Sequence, residues 1–166
     1  GKPYIDEIEL IGISDETARV NALVSGDVHL IAGINPRSIR QIKASPGYSI
    51  FETKAGYYTD LVMRQDADPT RNPDFAMALK HLFNREEIRT AVFRGYAVLG
   101  NDQPIDPTSR YYNASLPQRP FDPDKAKFHF QKSGVGTTPV ELYTSPAAPG
   151  SVEMGVLLQE QAKKIG

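Results

Sequence analysis

The chain contains no cysteine, which removes disulfides, thiolate metal sites and cysteine nucleophiles together. It also has no run near the roughly 18 consecutive apolar residues of a membrane-spanning helix. Charge of one sign is equally scarce: 19 basic side chains are interspersed with 20 acidic ones, for a net charge of −1. Nucleic-acid binders ordinarily carry a basic stripe, so no nucleic-acid partner is expected. Reactive signatures are missing as well. There is no G-x-S-x-G nucleophile elbow and no G-x-x-x-x-G-K-[ST] phosphate loop; "SGVGTTP" has the glycines but no lysine. His29, His81 and His129 stand in separate segments, none with a second ligand at helical spacing, whereas a zinc site needs three or four ligands. No catalytic residue, metal or cofactor is expected.

What is present is an α/β rhythm. Residues 4 to 13, "YIDEIELIGI", carry apolar side chains on both faces and predict a central strand. Ser14 or Asp15 caps a helix through "ETARVNALVS", with Ala18, Ala22 and Leu23 inward and Gly26 as its stop. "VHLIAGI" reads as a return strand. Asn35 and Pro36 then open a second helix. "YSIFETK" and "YYTDLVMR" are extended runs either side of Ala55-Gly56, and a hairpin and one strand kinked at the glycine fit equally.

After the turn-rich "DADPTRNP", Asn72-Pro73-Asp74 starts a helix with Phe75, Leu79, Leu82 and Phe83 inward. Asn84 and Glu87 form a capping box for the next helix, lined by Ile88, Ala91 and Val92 and ended by Gly95. Residues 97 to 122 hold four prolines and little periodicity, and so long a loop in a compact domain is functional or disordered. Asp122-Pro123 opens a helix that stops at Gly134. "PVELYTS" reads as a strand, and residues 151 to 165 as a helix with Val152, Val156, Leu157 and Ile165 inward. Both ends read as cut, with no initiator Met and a last helix that has just met its glycine. The chain is therefore expected to be a piece of something longer.

Four residues are candidates for ligand contact. Tyr57 and Tyr58 offer flat apolar bodies with polar tips, although a core aromatic alternating with a surface one is the plainer reading. Asn101 and Asp102, followed by Gln103, present polar groups where the chain leaves its helix for the long loop. Asp66 and Asp68 form a carboxylate pair, but beside Pro69 their expected role is turn capping.

Three stretches in series carry a resemblance. "KPYIDEIELIGISDETARVNALVSGDVHLI", "NPDFAMALKHLFNREEIRTAVFRGYAVLGNDQPIDP" and "FDPDKAKFHFQKSG" with "PVELYTS" resemble, in order and spacing, the family 5 extracellular solute-binding proteins of ABC importers. Departures are Asn84 and His29 where that pattern commonly has Asp, and Asp27 where it often has Glu. The resemblance implies a periplasmic-binding-protein-like (type II) two-lobed α/β fold, of which this chain is a middle fragment. Residues 1–54 would end the first lobe, 55–64 would be a crossing strand and 65–166 would begin the second lobe. It further implies capture of a peptide or similar small solute by lobe closure, with permease subunits as partners. The location would be periplasmic or extracytoplasmic, with or without a lipid anchor. The loop after "GY" would run toward the cleft and bring Asn101 and Asp102 to the solute. Within the same family, a nickel chelate, an opine or a sugar is the alternative cargo. A solute-sensing regulator, or a hydrolase using Asp66 and Asp102, is the rival outside it.

Overall fold

The computed structural model describes residues 4–53 and 56–166; Ala55, half of the Ala55-Gly56 kink, lies outside them. The chain parts into two units, Gly1–Ile50 and Phe51–Gly166.

In the first unit, α1 spans Glu16–Ser25 because Asp15 accepts from the Ala18 amide at 2.8 Å, satisfying one of the open donors of the first turn. Gly26 ends it with a left-handed backbone (φ 86°) and an N–H turned back to Ala22 and Leu23. A single 3₁₀ turn, Pro36–Ser38, leads into α2, Ile39–Ala44. One side chain docks the two helices: Glu16 Oε1 accepts from Asn35 N at 2.7 Å and from Ser38 Oγ at 2.9 Å. Val20, Leu23, Pro36 and Ile42 are buried apolar residues of this unit. Ala18, expected inward, is exposed, and the buried residues of α1 are Val20 and Leu23.

The second unit is built on α3 (Pro73–Leu82), α4 (Arg85–Glu87, continued by a π turn, Ile88–Val92), α5 (Pro123–Ser133) and α6 (Ser151–Ala162). The expected caps are in place. Asn72 Oδ1 accepts from Asp74 and Phe75, Asn84 Oδ1 from Glu87, and Asp122 Oδ1 from Lys125. Helices α3 and α5 lie against each other, and Ala126 of α5 is fully buried. Leu82, Leu158 and Ile165 complete that core, with Leu61, Phe83 and Phe130 packed on it. Burying a leucine such as Leu82 contributes roughly 2–3 kcal/mol before entropy is counted.

Two expectations need correction. Among the described residues no strand forms; the segments read as strands run without a ladder partner. Ile8 and Leu10, 71% and 92% exposed, show why: a strand is stabilised by a neighbour's hydrogen bonds and by a covered face, and these have neither. The second correction is the phase of α6. Val152 and Val156 face outward, while Met154, Leu158 and Gln161 are buried. "VEMGVLL" is apolar almost all round, so periodicity alone does not choose the inner face.

Candidate functional site

The 97–122 loop is laced by the polar row at its start. Asn101 Nδ2 donates to Leu116 O at 2.6 Å. Gln103 Nε2 donates to Asn113 O at 3.1 Å, and Gln103 Oε1 accepts from Asn113 N at 3.3 Å. Between them, Asp102 sits with φ 44° and places one carboxylate oxygen on Arg85 and the other on Arg119. All three charged side chains are less than a third exposed. Arg85 also donates to Arg119 O at 3.1 Å and lies over the Phe83 ring, 5.9 Å from its centroid. The end of the loop is joined to α3 by Asp122 N donating to His81 O at 2.9 Å.

The middle of the loop reaches the segment that follows Phe51. A Cβ on Gly56 would fall 2.8 Å from Asp106 Oδ2, so the carboxylate stands directly against that glycine. Asp106 is itself fixed by Thr108, whose backbone N–H (2.8 Å) and hydroxyl (2.5 Å) both donate to Oδ1. Those bonds, the hydroxyl's first, hold its carboxyl below the usual aspartate range. Tyr57 and Tyr58 follow Gly56 and are 69% and 53% exposed.

The four candidate residues therefore occupy two neighbouring pieces of one unit. The tyrosines present free ring surface. Asp102 is engaged by two guanidiniums, and Asn101 Oδ1 is shut from solvent with no donor among the described residues. The row Asn101–Gln103 stands out in the sequence, but its partners, which lie 10 to 17 residues away, do not. Two hollows lie elsewhere. An apolar groove of about 400 Å³ runs between the π turn and α6, lined by Ala91, Val92, Val152 and Val156. A smaller one, about 160 Å³, opens between residues 59–62 and 142–144.

Tertiary structure also pairs residues that the sequence kept apart. The His81 and His129 rings stack at 6.1 Å between centroids, 3° from parallel. His81 Nδ1 is 3.3 Å from Pro120 O, and His129 Nδ1 is 2.8 Å from Asp74 Oδ1. Among the described residues no group of three or more His, Asp or Glu is placed to hold a metal ion. Asp66 and Asp68 pair with Arg64 (2.8 Å) and Arg71 (3.1 Å) on the surface. The Arg64 bond holds the Asp66 carboxyl below its usual range, the opposite of what a general acid needs near neutrality.

The description "Bacterial extracellular solute-binding proteins, family 5 Middle" matches residues 1–166, the whole chain. The chain belongs to this family. Within family 5 it is similar to Di/tripeptide-binding protein 2 of Pseudomonas aeruginosa, 26% identical over 172 residues covering 100% of this chain and 32% of that protein. It is also similar to Heme-binding protein A of Haemophilus influenzae, 25% identical over 171 residues, covering 100% of this chain and 31% of the relative. A solved structure, the ABC transporter-associated periplasmic binding protein DppA from Helicobacter pylori in complex with the peptide STSA, superposes with a TM-score of 0.72 at 24% identity. That match covers 93% of this chain and 30% of DppA, and it shows the fold. The chain thus spans about a third of the length of the family 5 relatives it matches. Among the described residues, no helix is long and apolar enough to cross a membrane.

Proposed function

We propose that this chain is the middle part of the substrate-binding component of an ABC importer, and that its solute is a short peptide. The observation that carries the reading is the family match over all 166 residues, with relatives named for di- and tripeptide binding. In this reading residues 1–54 end one lobe, 55–64 cross between lobes and 65–166 begin the other. The solute is captured by closure: it binds an open form, and contacts to both lobes favour the closed one. No bond is made or broken. The protein works outside the cytoplasm and hands its cargo to membrane permease subunits.

Tyr57 and Tyr58 supply exposed aromatic surface on the crossing segment. Asn101 contributes from the loop that stands against Gly56, and Asp102, held by Arg85 and Arg119, contributes through the shape of that loop. A peptide's main chain offers regularly spaced donors and acceptors, which suits polar contacts shared with water. Haem is the second reading, favoured by the equally similar Heme-binding protein A.

The test is isothermal titration of the full-length protein with di- and tripeptides and, separately, with hemin. Peptide binding that weakens on Tyr57→Ala and Tyr58→Ala supports the proposal. Hemin binding without peptide binding replaces it with the second reading, and no binding of either overturns both.

A further inference from the structure

Asp102 is expected to meet solute, yet its surroundings give it other work. A carboxylate has about four acceptor positions on two oxygens, and here each oxygen already faces a guanidinium, Arg85 on one side and Arg119 on the other. The trio carries one negative and two positive charges, so its net field repels a peptide's amino group. Its geometry closes the chain upon itself. Arg85 comes from the first turn of α4, Arg119 from the far end of the loop, and Asp102 ties both to the loop's beginning. The backbone of Asp102 is left-handed, a conformation that few L residues keep, Asp among them, unless their surroundings hold them there. Charge-assisted hydrogen bonds to two arginines are strong enough to do so. Asn101 and Gln103 then bind the far side of the same loop. The loop so fixed is the one that seats Asp106 on Gly56.

We propose that Asp102 is a positioning residue: clamped by Arg85 and Arg119, it locks residues 101–119 into one shape and sets Asp106 against Gly56, beside Tyr57 and Tyr58. It does not itself contact solute. The link to solute rests on the function proposed above; the locking of the loop does not.

The experiment uses the full-length protein and two readouts. The first is hydrogen exchange of amides 104–116 and 56–58 without any solute. Asp102→Asn and Arg119→Ala both accelerate exchange there by about tenfold or more, while α5 amides keep their wild-type rates. Arg119→Lys, which keeps the charge but not the fork, recovers part of the protection. The second readout is affinity for trialanine. Removing Arg119 leaves the Asp102 carboxylate present and less encumbered. A positioning role therefore makes Asp102→Asn and Arg119→Ala weaken binding alike, whereas a solute-contacting carboxylate is harmed only by Asp102→Asn. Loop exchange at wild-type rates in both variants overturns the proposal, as does loss of affinity in Asp102→Asn alone. If wild type binds no peptide, the function proposed above fails, and the exchange data still decide the locking.

Discussion

Asn72 offers the sharpest test of the helix packing, because its amide does two jobs that substitutions separate. Its oxygen caps α3 by accepting from Asp74 N at 3.0 Å and Phe75 N at 3.3 Å. Its Nδ2 crosses to α5 and donates to Ser133 O at 3.0 Å, one of the carbonyls left open at that helix's end. Losing an N-cap side chain costs about 1 kcal/mol, and losing a part-buried hydrogen bond costs about 1 kcal/mol more. Asn72→Ala removes both and should cost about 2 kcal/mol. Asn72→Ser keeps a capping oxygen but cannot bridge to Ser133, and should cost about 1 kcal/mol. Native-state hydrogen exchange of α3 and α5 amides reads this locally, which suits a protein whose parts open separately. The expected accelerations are about 30-fold for Ala and about fivefold for Ser. Equal acceleration by the two variants would show that the cap carries no energy, and a wild-type rate for Asn72→Ser would show that the bridge to α5 carries none. A change in neither would refute both roles.

Gly150→Ala should destabilise the second unit by roughly 2–4 kcal/mol, since it adds left-handed strain to overpacking. Gly150 has φ 76°, and its Cβ would fall 2.7 Å from the Phe93 ring and 2.9 Å from Val92. Urea denaturation followed by circular dichroism checks this, and a wild-type midpoint would contradict the close approach. The Asp74 carboxyl is held below its ordinary value first by His129 and then by Lys132. A depressed carboxyl stabilises the fold fully above the unfolded-chain value of about 3.9, and the contribution fades as pH falls through the native value. Wild type should therefore be more stable than Asp74→Asn at neutral pH, with the gap closing only below about pH 4. A gap unchanged down to acid unfolding would count against the Asp74–His129 link.

What the sequence alone determined is whatever is fixed within one helical turn. Asp15, Asn72, Asn84 and Asp122 cap as read, and Gly26 and Gly134 stop their helices. In each case donor and acceptor are two to four residues apart, so the contact is written in the local order of residues. The family, too, was legible, because three motifs keep their order along the chain. Tertiary structure decided what depends on partners far along the chain. The inner face of α6 was chosen by packing against α3 and the π turn, not by its own pattern. His81 and His129 became a stack only because α3 lies on α5. The extended segments formed no sheet among the described residues, since a strand's hydrogen bonds belong half to its neighbour. Asp102 reads as an exposed loop acid until Arg119, 17 residues on, is brought back to it; a side chain's role follows from what stands opposite it, and only folding decides that.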